Sequence, residues 1–126
     1  MGPSDLDVLI VDDHEAMRVL FSRGLAKAGV QKVRTAETGA EALGLLRERA
    51  ANLILADNRM PGMSGVEFVA AVRSEPALGA PKIVIVSGDG NAAFSAQALS
   101  AGADAVLTKP VSLADLTGAI NQLFAV

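Results

Sequence analysis

Cysteine, tryptophan and tyrosine are absent from the 126 residues, and histidine occurs once. Without cysteine there is neither a disulfide framework nor a thiolate metal site. There is no excess of basic charge: Lys and Arg total 11 against 14 Asp and Glu, a net charge of −3. That balance argues against a general binder of nucleic acid or of a membrane surface. No apolar run approaches the roughly 20 residues that cross a bilayer, and the N-terminus lacks the basic-then-apolar pattern of a secretory signal. The expected location is the cytoplasm. What the chain does have is core material, with 51% of its residues hydrophobic, which suits one domain. Residues 1–5 are expected to be a disordered lead-in or tag remnant, and residues 6–124 the folded unit.

Periodicity divides that unit regularly. "DVLIVDD" (7–13), "KVRTA" (32–36), "NLILA" (52–56), "KIVIVS" (82–87) and "AVLT" (105–108) read as strands, four of them near-continuous apolar runs. Between them, Met17, Leu20, Phe21 and Leu25 recur at helical spacing up to a capping Gly29. Residues 38–50, 64–74, 91–102 and 112–124 complete the helices. Three of these open on capping boxes, Thr38 with Glu41, Ser64 with Glu67 and Ser112 with Asp115. Alternating strands and helices imply an α/β fold, a doubly wound parallel sheet of five strands with right-handed crossovers and five helices on its two faces.

In such a sheet ligands bind at the carboxyl ends of the strands. The first strand ends in Asp12 and Asp13, the second near Glu37, the third in Asp57, the fourth in Ser87 and the fifth in Thr108 and Lys109. Each alone has a plain reading as a cap, a turn residue or a solvated charge. Together they are a constellation: clustered carboxylates repel and need a cation. Hard oxygen ligands suit Mg²⁺, or Mn²⁺, which typically takes one or two carboxylates and leaves the third free as a nucleophile. Lys109 and Ser87 suit phosphoryl oxygens, and phosphoryl transfer needs positioning and charge neutralisation above all. No Gly-rich phosphate loop is present, so a nucleotide is not the obvious donor. His14 reads as first-turn helix surface rather than as a ligand, and Met60 and Met63 as loop packing.

At these residues the chain resembles the receiver domain of two-component response regulators, the CheY-like fold. The matching pieces are "LIVDD" (9–13), Asp57 with "MPGMSG" (60–65), "IVS" (85–87), "GA" (102–103) and "KP" (109–110). The resemblance spans Leu6 to Phe124 and implies the flavodoxin-like strand order 2-1-3-4-5. It implies that Asp57 is the phosphoacceptor and that Asp12, Asp13 and Asp57 itself hold Mg²⁺. Arg59 would add its backbone carbonyl as a further metal ligand. Ser87 and Lys109 would contact the phosphoryl group, and a cis bond would precede Pro110. The implied donor is a phosphohistidine on a histidine kinase or histidine phosphotransfer protein. The implied role is a phosphoacceptor signalling protein, catalysing only its own phosphotransfer and dephosphorylation.

The family often carries Tyr or Phe three residues before the lysine; here that position is Val106, stiff at χ1 and without a ring to turn. Phosphorylation is therefore expected to shift the fourth helix without an aromatic rotamer change. Arg59 and Asp89 are expected to flank the site and pair across its mouth as a gate against water. From residue 90 onward only Asp104, Lys109 and Asp115 are charged, and the fourth helix has no charge at all. Its face with the fifth strand and fifth helix, including Ser95, Leu99 and Val106, is the expected surface for a downstream protein or a second copy. The expectation is thus a single-domain response regulator, standing alone or cut from a longer protein. Two alternatives remain at this point. One is a phosphorylation-independent interaction module on the same fold. The other is a flavodoxin-like cofactor binder, which lacks the hydroxyl-rich first loop and stacking aromatics a flavin needs.

Overall fold

The computed structural model describes residues 2–88 and 91–124. Among them, five strands alternate with five α-helices: β1 (Asp7–Val11), α1 (Glu15–Lys27), β2 (Lys32–Ala36), α2 (Gly39–Glu48), β3 (Leu53–Asp57), α3 (Gly65–Arg73), β4 (Lys82–Ser87), α4 (Ala92–Ala101), β5 (Ala105–Thr108) and α5 (Leu113–Phe124). Every pairing is parallel, in the order β2-β1-β3-β4-β5. This is the doubly wound order, and its direction of winding reverses between β1 and β3.

The apolar runs of the central strands hide a period of two. Leu9, Val11, Ile54, Ala56, Ile83 and Ile85 face a core closed by Leu46 of α2, Phe68, Val69 and Val72 of α3 and Ala98 of α4. Their neighbours Val8, Ile10, Leu53, Leu55, Val84 and Val86 face a second core closed by Phe21 and Leu25 of α1 and Leu116 and Ile120 of α5. Because both faces are covered, alternation in direction needs no alternation in polarity. Each fully buried Leu or Ile contributes about 1.5–3 kcal/mol over leaving it in water.

Several local expectations are corrected. Pro3–Asp5 forms one 3-10 turn. The fixed φ of Pro3 and the Asp5 carboxylate, which accepts the Gly2 N–H at 3.1 Å, stabilise it. Leu20 keeps the helical spacing but stays 53% exposed, because the buried stripe of α1 runs through Phe21 and Leu25, with Met17 packed beside it. Only the Thr38 half of the first capping box forms, with its hydroxyl accepting the Glu41 N–H. The other two boxes close in both directions. At α3, the backbone N–H of Ser64, then its hydroxyl, hold the Glu67 carboxyl below its ordinary 4.5. That cap is therefore complete above the ordinary value and weakens as pH falls through the lowered one.

Two glycines are fixed by close approach. Gly102 ends α4 at φ +118°, and a Cβ there would stand 2.8 Å from Arg73 Cγ. Arg73 needs that space: its guanidinium donates to the Gly102 carbonyl, the Pro81 carbonyl and Asp104, and so ties α3 to the residues that lead into β4 and β5. At Gly65, a Cβ would stand 2.9 Å from the Asp57 carbonyl oxygen and from Asn58 Cα. The Gly65 N–H also donates to the Asn58 carbonyl at 2.8 Å, so the loop after β3 folds back onto the strand end. Gly65→Ala is expected to destabilise the domain by about 1–3 kcal/mol, since backbone on backbone cannot relax as a side chain would. Denaturant unfolding of the variant checks this.

Candidate functional site

The carboxyl ends of β1, β3, β4 and β5 meet at one edge of the sheet, beside the reversal point, because the strands are parallel and in register. Asp57 is the last residue of β3 and pairs with Val86 of β4. Ser87 closes β4, and its carbonyl accepts the Lys109 N–H at 2.8 Å, which joins the two strand ends. Asp12 follows β1 and donates its own N–H to the Ala36 carbonyl at 3.0 Å. The Lys109–Pro110 peptide is cis, as the resemblance implies.

These residues surround an open cavity of about 480 Å³ lined by His14, Asp57, Asn58, Ser87 and Lys109, with Arg59 at its edge. Asp57 lies on its floor, 5% exposed, and its Oδ1 is 2.8 Å from Lys109 Nζ. Asp12 is deeper still at 1% exposed. Its Oδ1 accepts the His14 N–H at 2.9 Å, whereas its buried Oδ2 has no hydrogen-bond partner. A buried, unpaired carboxylate oxygen is costly, so this atom marks a place for a cation. One ligand atom from each of Asp12, Asp13, His14 and Asp57 lies within 4.8 Å of every other. Three carboxylates and an imidazole at that spacing fit a divalent metal ion. Asp13 is exposed and borders an adjoining depression with Asn58, Arg59 and Met60.

The fold brings Asp12, Asp13, Asp57, Ser87 and Lys109 together as the sequence suggested. It does not bring in Glu37, which pairs with Arg18 at 3.3 Å. Asp89, the second half of the expected gate, lies outside the described residues; Arg59 is exposed at the cavity mouth. Val106 pairs with Ile85 and packs, half-buried, on the core beneath α3 and α4. On α4, Leu99 is 49% exposed and Ser95 half-buried.

Three contributors were not legible as such. His14 turns its ring onto the acids, with Nδ1 at 3.1 Å from Asp12 Oδ1 and 3.2 Å from Asp13 Oδ1. Arg18 holds the Asp12 carbonyl through a 2.9 Å hydrogen bond, one turn along α1. Asn58, directly after Asp57, buries a side-chain oxygen that also lacks a partner.

A doubly wound sheet with buried carboxylates and an ammonium at its switch point defines a class of small acidic-pocket signalling domains. The response regulator receiver domain family matches residues 8–121, and the chain belongs to that family. The family is one of signalling phosphoacceptors with an acidic Mg²⁺ pocket. Among similar curated proteins is a "Probable chemotaxis protein CheY" of Rhizobium etli, 32% identical over 94% of this chain and 92% of the relative. The response regulator GacA of Pseudomonas aeruginosa is 36% identical over 95% of this chain but only 56% of its own length. Among solved structures, the chemotaxis response regulator CheY4 of Vibrio cholerae superposes with a TM-score of 0.86 at 30% identity, covering 94% and 98% of the two chains. The receiver domain of Francisella response regulator 1452 does so with 0.87 at 25% identity, covering 96% and 98%. No helix among the described residues is long and apolar enough to cross a membrane.

Proposed function

We propose that this receiver takes a phosphoryl group from a phosphohistidine onto Asp57, with Mg²⁺ in the acidic pocket, and thereby changes its affinity for a protein partner. The observation that carries the reading is Asp57 Oδ1 held 2.8 Å from Lys109 Nζ on the cavity floor, within 4.8 Å of an acidic pair that has a buried oxygen to spare.

In the step, an Asp57 oxygen attacks phosphorus. The aspartyl O–P bond forms as the P–N bond to the donor imidazole breaks. The electron pair returns to the imidazole nitrogen, which takes up a proton. Lys109 moves from the free carboxylate to a phosphoryl oxygen, and the Ser87 hydroxyl donates to another. Asp12 and Asp13, with the Arg59 backbone carbonyl, would hold Mg²⁺, and when bound it would supply charge neutralisation for the transferring group. The backbone hydrogen bond from Lys109 to Ser87 would carry events at the phosphoryl group to β5, and Val106, packed on the core that also holds Ala98 of α4, would carry them onward. Val106 has no ring to rotate, so the change passes to the α4–β5–α5 surface by backbone and packing shifts. Leu99 and Ser95 on that surface would meet the downstream protein or a second copy. A histidine kinase or phosphotransfer protein would supply the phosphoryl group.

Incubation with a small acyl phosphate and Mg²⁺ is expected to add one phosphoryl mass to the intact protein, and a chelator to prevent the gain. Equal gain with and without the chelator would contradict the metal's part in the step.

A further inference from the structure

We propose that His14 is a nitrogen ligand that gives the acidic pocket a preference for borderline transition metals, Co²⁺ or Zn²⁺, over what its carboxylates alone would show. This rests on the reading that Asp12 and Asp13 hold a divalent cation. The pocket is marked as a cation site independently of its acidity by the buried, unpartnered Asp12 Oδ2.

The geometry carries His14 into that site. Two ligands each about 2.1 Å from one metal ion stand about 3.0 Å apart in an octahedral shell and about 3.4 Å apart in the tetrahedral shell usual for Zn²⁺. His14 Nδ1 is 3.1 Å from Asp12 Oδ1, at hydrogen-bond distance, and 3.2 Å from Asp13 Oδ1, so an ion that replaced this contact would find all three atoms within reach. The backbone fixes that placement: the His14 N–H donates to Asp12 Oδ1 at 2.9 Å, and its carbonyl accepts from Met17 and Arg18 at 3.1 Å each. His14 stands at the N-cap position of α1, yet its side chain caps no helical N–H. The ring instead meets the acids, with Nδ1 at hydrogen-bond distance from Asp12 Oδ1.

Ligand chemistry then separates the metals. Mg²⁺ keeps to oxygen and retains its waters, so an imidazole adds little to its binding. Co²⁺, Ni²⁺ and Zn²⁺ bind imidazole well. A receiver with carboxylates alone selects hard cations; with His14 it also responds to the transition-metal supply.

The test is calorimetric titration of the tag-free full chain with MgCl₂, CoCl₂ and ZnCl₂, for wild type, His14→Ala and Asp12→Asn. Truncation at His14 should leave the fold intact, because the side chain is 63% exposed and caps nothing. His14→Ala is expected to lose about tenfold or more in Co²⁺ and Zn²⁺ affinity with Mg²⁺ affinity nearly unchanged. Because the chain has one histidine, its imidazole ¹⁵N resonances give a second readout: Zn²⁺ should shift Nδ1 strongly and Mg²⁺ should not. If His14→Ala leaves Co²⁺ and Zn²⁺ affinity unchanged, or weakens all three metals alike, His14 is not a ligand and the carboxylate site still stands. If wild type binds no Mg²⁺, or Asp12→Asn binds it equally well, the underlying metal site fails and this inference with it.

Discussion

Asp57→Asn is expected to abolish phosphoryl uptake from any donor while leaving the fold intact. The side chain is isosteric, and its amide oxygen still accepts from Lys109 across the same 2.8 Å. What is lost is the anionic nucleophile, because an amide oxygen does not form a stable phosphoryl ester under these conditions. The substitution also removes one of three carboxylates crowded within 4.8 Å, so stability without metal should not fall. Intact mass after exposure to an acyl phosphate and Mg²⁺ reads the result. A gain in the variant equal to that of wild type would move the chemistry to another residue.

Lys109→Met is expected to slow phosphoryl uptake by about 10²–10³-fold, the usual cost of deleting one preorganised charge stabiliser. Methionine keeps the apolar stem, which matters for a side chain that is 29% exposed, and removes only the ammonium. In the resting state that ammonium neutralises Asp57. Its loss should therefore leave Mg²⁺ binding as strong as before or stronger, since a competing cation is gone. A time course of mass gain at saturating Mg²⁺ separates the two effects. A rate within about tenfold of wild type would remove Lys109 from the transfer step.

The strands were legible because sheet burial on both faces forces near-continuous apolar runs, and the site was legible because parallel strands deliver their last residues to one edge. Asp12, Asp13, Asp57, Ser87 and Lys109 follow from those two facts together. What sequence periodicity does not carry is the direction of a side chain at an element boundary. His14 reads as first-turn surface and is 63% exposed, but the sequence does not show that its Nδ1 lies 3.1 Å from Asp12 and 3.2 Å from Asp13. Arg18 looks like an ordinary helix charge, and only the fold shows its guanidinium on the Asp12 carbonyl. Leu20 keeps the spacing of Phe21 but stands on the wrong side of a narrow buried stripe. Thr38 and Glu41 have the residue types of a capping box, and only one of its two hydrogen bonds forms. In each case the residue type was right and the missing information was an angle.

The central claim is that Asp57 is the phosphoacceptor, and borohydride trapping tests it most directly. Reduction of an aspartyl phosphate converts that one residue to homoserine, which tandem mass spectrometry of the peptides locates. The account predicts homoserine at position 57 alone, and only after exposure to donor with Mg²⁺. Homoserine at position 12 or 13, a phosphoryl group on His14, or no modification in protein that binds Mg²⁺ would contradict it.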